Sequence, residues 1–198
     1  MENPEKHLKD IAEIRQMMER SSRFISLSGW SGVFAGVAAL IGAGTAILYL
    51  RSVSGESVGL FLLVDAIIVL FAAMGSVLFF SWRKARKQGA RLWSPVTRRI
   101  VVSLTIPLVT GGVYSTILII HELYYLIPGV MLIFYGIALV TAGRFINRES
   151  VILGVSEIIL GIAATIWPGL SLWLWGCGFG LLHIIYGITL HYTYDGEQ

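Results

Sequence analysis

Residues 83–99, RKARKQGARLWSPVTRR, hold seven of the fifteen lysines and arginines of the chain and no acid. Long apolar runs flank this stretch on both sides. A basic block of this kind resists translocation through a bilayer. Arg83, Lys84, Arg86, Lys87, Arg91, Arg98 and Arg99 therefore pin one loop to the cytoplasmic face. Once that loop is placed, the direction of every other segment follows.

Moving outward, the apolar runs dominate the composition. Of 198 residues, 56% are hydrophobic and only 14% charged, with a mean hydropathy of +0.75, whereas an ordinary soluble domain is about a quarter charged. The runs are long enough to span a bilayer as helices, about 20 residues each. They lack the two-residue alternation of a membrane β-barrel. The fold class is an all-α polytopic membrane protein: six transmembrane helices as three hairpins, plus a cytoplasmic amphipathic helix near the N-terminus. The spans fall at about 26–50, 58–82, 100–120, 124–145, 151–167 and 172–192. The net charge of +3 sits at loop positions, where membrane orientation explains it and a nucleic-acid partner is not needed. The one cysteine, Cys177, excludes an intramolecular disulfide and a cysteine-based metal site.

Residues 3–23 read as a helix, with Asn3 as its cap and Pro4 at its first position. Leu8, Ile11, Ile14 and Met18 make one apolar stripe. Five acids balance five bases from position 2 to 23, unlike a helix recruited by anionic lipid. It either packs under the bundle or contacts a second copy or another membrane protein. No cleavable signal sequence is expected at this end, because an apolar core is missing. Lysines and arginines number five in this segment, seven in residues 83–99 and two at 144–148, against Arg51 alone on the other side. That asymmetry predicts a multi-pass protein of the inner (plasma) membrane with both termini cytoplasmic. Tyr49, Tyr124, Tyr125, Trp167, Trp173 and Trp175 then mark the outer interface, and Trp82, Trp93, Tyr192 and Tyr194 the inner one. Pro107 predicts a kink in the third span.

Small residues supply the packing signal. Ser28, Gly32 and Gly36 are four apart, a spacing that lets another helix backbone approach closely, in a dimer or within one bundle. Gly176 and Gly180 are packing positions of the last span. A faint repeat also runs through the chain. Tyr135-Gly136-Ile137-Ala138-Leu139 returns as Tyr186-Gly187-Ile188-Thr189-Leu190, fifty-one residues on, and Gly129 matches Gly180.

The last hairpin, GVSEIILGIAATIWPGLSLWLWGCGFGLLHIIYGI (154–188), resembles the two-helix repeat of the HdeD-type acid-resistance membrane proteins. The shared pattern is a Gly-rich helix, a Trp-Pro turn and a second Gly-rich helix. The resemblance covers this hairpin well and the earlier spans little. It implies six spans built from three hairpins and a role in envelope stress without a defined chemistry. It supplies no catalytic residues. The basic loop and the charged N-terminal helix depart from that pattern.

Ionisable residues inside spans cost roughly 2.5–3.5 kcal/mol each to insert, so they are the functional candidates. Asp65, Glu157 and His183 qualify. Glu157 lies thirteen residues before Leu170, at the last turn, and His183 thirteen after it. Both therefore sit about 20 Å from that turn, at one depth. Facing each other, they form either a hydrogen bond that fixes the hairpin register or a coupled proton-handling pair. Asp65 is about seven residues into its span, roughly 10 Å deep. It either bonds to a neighbouring Ser, Thr or Gly, or joins a wet path from Glu122 toward Glu157 and His183. No haem, zinc or other cofactor is expected, because no two histidines share a depth on different helices and no ligand trio converges. The serines and threonines of the spans lack an evident base, so an enzyme is not expected. His7 sits on a solvated helix face. The leading reading is a non-enzymatic membrane protein, stress-related or an accessory subunit. The alternative is a small proton-linked transporter or channel using Glu157 and His183. The lipid bilayer is the one certain partner of either.

Overall fold

The structure, a computed structural model, describes residues 28–52, 57–87, 93 and 95–195. The amphipathic helix expected at 3–23, and Arg91 of the basic block, lie outside the described residues. Among those described there is no strand, and six helices are long and apolar enough to cross a bilayer. We number them α1 (Gly29–Ser52), α2 (Ser57–Lys87), α3 (Pro95–Ile120), α4 (Ile127–Gly143), α5 (Arg148–Ile166) and α6 (Pro168–Thr193).

Several boundaries differ from the sequence expectation for local reasons. The second helix does not stop at Trp82 but stays helical through Lys87. Arg83, Lys84, Arg86 and Lys87 thus form its last turns, where cations favour the negative end of the helix dipole. The Arg86 guanidinium lies 5.4 Å from the Trp82 ring centroid, a cation–π contact. α3 starts at Pro95, with Arg98 and Arg99 already inside its first turns. Proline fits there because the first helical N–H has no partner to lose. Pro107 does not end α3, which runs on to Ile120. Glu122, at φ 59°, takes the left-handed conformation that closes a helix C-terminus.

The packing has a core and two flanks. α2 lies against α1, and α3 against α4. Only 6% and 11% of the apolar windows of α2 and α3 are buried, against a third or more in the other four helices. The apolar centre is Ala39 and Ala43 of α1, Leu132 of α4, Ala164 of α5 and Trp175 of α6.

Glycines spaced seven apart, about two turns, make the closest joints. α4 presents Gly129, Gly136 and Gly143, and α5 presents Gly154 and Gly161. A Cβ on Gly136 would come within 2.5 Å of the Gly154 carbonyl oxygen, and one on Gly161 within 2.8 Å of that of Gly129. α1 and α6 repeat the arrangement. A Cβ on Gly36 would meet the Gly180 oxygen at 2.6 Å, and one on Gly187 the Gly29 oxygen at 2.5 Å. Gly32 faces Gly187 and the His183 carbonyl, while Gly176 faces Ala43. The Gly32/Gly36 motif is therefore used inside the chain. Gly129 and Gly136 do against α5 what Gly180 and Gly187, fifty-one residues on, do against α1. The faint sequence repeat is one packing device used twice.

Candidate functional site

α6 is not a uniform coil. A short α-turn (Ser171–Trp175) passes into a wider π-helical stretch (Gly176–Leu182) and back to α-helix (His183–Leu190). Such π stretches are uncommon and are frequent at functional sites. Three glycines, Gly176, Gly178 and Gly180, fall within this one.

The stretch delivers His183 to the centre of the bundle, 7% exposed. Its Nδ1 lies 3.0 Å from the Gly178 carbonyl oxygen, five residues back. A carbonyl only accepts, so Nδ1 carries the hydrogen and the neutral ring keeps its lone pair on Nε2. The Tyr135 hydroxyl, from α4, stands 2.8 Å from that Nε2 and donates to it. If the ring gains a second proton at Nε2, the same contact reverses and the tyrosine oxygen accepts.

Glu157 reaches the group from α5. It is fully buried, and its Oε1 lies 3.4 Å from His183 Nδ1. That is an ion-pair distance longer than an ordinary hydrogen bond. Neither carboxyl oxygen has a hydrogen-bond partner among the described residues. Gly178 makes room for this carboxyl, because a Cβ there would overlap Glu157 Oε2 and Leu132 Cδ2. The rings of Tyr135 and His183 are 5.3 Å apart, and Phe179 lies 4.9 Å from Tyr135. Trp175 is 5.0 Å from Phe179, so aromatic carbon closes the side toward the apolar centre.

A second polar cluster lies toward the Asn147 end. The Ser150 hydroxyl is 2.7 Å from the Tyr186 hydroxyl and 2.6 Å from Asn147 Oδ1. Asn147 also caps α5, accepting from the Ser150 N–H at 2.8 Å. Ser150 precedes Glu157 by seven residues, two helical turns on the same face, and Tyr186 follows His183 by three, one turn further along α6. The two clusters therefore stack along facing sides of α5 and α6. Ala164 follows Glu157 by seven residues on the same face of α5, so the apolar centre of Leu132, Ala164 and Trp175 lies in the other direction.

Asp65 stands apart. Half-buried on α2, its Oδ1 lies 2.7 Å from the Thr45 hydroxyl of α1. Among the described residues no hydrogen bond joins it to Glu157 or His183. No group of three His, Cys, Asp or Glu side chains gathers for a metal among those residues either. Glu157 and His183 are thus brought together, and Asp65 is not. Sequence reasoning missed Tyr135, Gly178, Ser150 and Tyr186. The repeat did flag both tyrosines, as the first residue of each copy.

Comparison of the chain with protein-family models, with curated proteins and with solved structures finds no match.

Proposed function

We propose that the chain is a non-enzymatic, six-span membrane protein whose centre exchanges a proton with one end of the bundle. The observation that carries this reading is Glu157, wholly buried, without a hydrogen bond among the described residues and 3.4 Å from His183. A carboxylate charged in such a place is costly unless a cation balances it. Charge on Glu157 and charge on the imidazole are therefore coupled. Tyr135 can donate or accept at Nε2 and so follows the imidazole through either state. The Asn147–Ser150–Tyr186 cluster gives the Glu157 group polar neighbours toward one end of α5, while apolar side chains lie on the other. That asymmetry favours a sensor of one compartment over a through-going path.

In this reading the six helices cross the inner (plasma) membrane as three hairpins, with the basic ends of α2 and α3, and both termini, in the cytoplasm. The Asn147 end shares that side, so the centre responds to cytoplasmic pH. The resemblance of the last hairpin to HdeD-type proteins points the same way, toward acid stress. The test is a pH jump on reconstituted protein, with amide exchange read across residues 176–182. After correction for the base-catalysed pH dependence intrinsic to every amide, protection there changes with pH in the native chain and does not change in Glu157→Gln. A pH-independent native profile refutes the reading. Proton flux across the vesicle wall that Glu157→Gln abolishes assigns transport in place of sensing.

A further inference from the structure

A groove of about 670 Å³ opens between the N-terminal end of α3 and the C-terminal end of α4. Trp93, Arg98, Arg99, Val102 and Phe145 line it. At its edge the Thr141 hydroxyl of α4 lies 3.3 Å from the Ser103 carbonyl of α3. Arg98 and Arg99 are exposed. Neither has an ion pair or a hydrogen bond among the described residues, and α3 and α4 contain no acid that could neutralise them.

Below the arginines the surface changes character along one line of α3. Val102, Ile106, Val109 and Val113 follow Arg98 at steps of four, four, three and four, and each is at least half exposed. Side chains at that spacing share a helix face. From Val102 to Val113 the track runs about 16 Å, close to the ~15 Å of one hydrocarbon leaflet. Helical side chains lean toward the helix N-terminus, so the guanidiniums of Arg98 and Arg99 extend away from this track toward the membrane surface. The first-turn N–H groups of α3 add partial positive charge at the same end.

We infer that this groove is a binding site for one anionic phospholipid, its phosphate on Arg98 and Arg99 and one acyl chain along Val102, Ile106, Val109 and Val113. Charge selects the occupant. Two guanidiniums, unpaired among the described residues and on a helix that carries no acid, favour a head group of net negative charge over a zwitterionic one. The length of the track selects a lipid over a small anion, which would leave the apolar line unused.

The site rests on the six-span reading, and the two fail separately. Labelling of Gln88→Cys by an impermeant reagent outside intact cells would sink the topology. The lipid site is tested on the purified full chain in detergent by native mass spectrometry, with dioleoyl phosphatidylglycerol titrated against dioleoyl phosphatidylcholine. One phosphatidylglycerol is retained with a preference of roughly tenfold or more. Arg98→Gln/Arg99→Gln loses that preference, while Lys84→Gln/Lys87→Gln, which removes equal charge from α2, keeps it. Equal retention of the two lipids overturns the site. So does equal loss in both double variants, or a melting point raised as much by inorganic phosphate as by phosphatidylglycerol.

Discussion

Replacing Gly136 by alanine forces two backbones apart. The new Cβ would sit 2.5 Å from the Gly154 oxygen, 2.7 Å from Ile158 Cγ1 and 2.9 Å from the Ile158 nitrogen. Comfortable contacts begin near 3.5 Å, so α4 and α5 must separate by about 1 Å along their tightest line. Two of the three obstacles are backbone atoms, which no rotamer change can move. Overpacking of this kind costs about 1–3 kcal/mol. Alanine also gains up to about 1 kcal/mol of helix propensity over glycine, which a control must remove. Gly112 is that control. It lies inside α3, is exposed, and a Cβ there meets nothing within 4 Å. The propensity gain cancels between Gly136→Ala and Gly112→Ala, which leaves a gap of about 1–3 kcal/mol. Unfolding in mixed micelles with increasing SDS, followed by circular dichroism, measures it. Gly154→Ala should open the same joint, so the double variant Gly136→Ala/Gly154→Ala should cost less than the two singles added. Equal stability of Gly136→Ala and Gly112→Ala would refute the close-packed joint.

Four further substitutions, one of them a control, separate the parts of the site. Gly178→Ala drives a Cβ into Glu157 and Leu132, whereas Gly176→Ala meets only Ala43 at 3.2 Å. The first should lower the unfolding midpoint by more than the second, by about 1–3 kcal/mol in stability. Tyr135→Phe leaves the buried His183 Nε2 without its partner and should cost about 1–3 kcal/mol. An imidazole NMR spectrum unchanged by it would show that the contact does not form. Thr45→Val breaks the contact to Asp65 on a half-buried surface. It should cost less than about 1 kcal/mol and leave the pH response of the α6 centre intact; loss of that response would tie Asp65 to Glu157 after all.

Six long apolar helices could be read directly from the chain because hydropathy sets membrane-length elements with little help from tertiary contacts. The level match of Glu157 and His183 was legible for a similar reason. The rise of an α-helix is fixed, so counting residues from a turn gives depth. Counting does not give azimuth. It could not show that Tyr135 swings in from α4, or that Gly178 clears space for the carboxyl. The π stretch itself left no mark beyond three alternating glycines, Gly176, Gly178 and Gly180. Gly32 and Gly36 were legible as packing residues by their spacing, but only the structure names their partner, α6. The glycines of α4 and α5 are seven apart, two full turns, and so lack the four-residue small-residue step that marks a packing face in sequence. The helical continuation of α2 past Trp82 was hidden by the change from apolar to basic residues, which ends a hydrophobic span but not a helix.

On the reading proposed above, the Glu157 carboxyl gains and loses a proton in step with His183. Infrared difference spectra of the reconstituted protein report this, taken from about pH 4, where ordinary carboxylates titrate, up to about pH 10, because a charged carboxyl at this buried position is costly. A protonated-carboxyl band should change across this range, shift in deuterium oxide, disappear in Glu157→Gln and move in its titration in His183→Gln. A carboxyl signal that is absent, or that survives unchanged in Glu157→Gln, would contradict that reading.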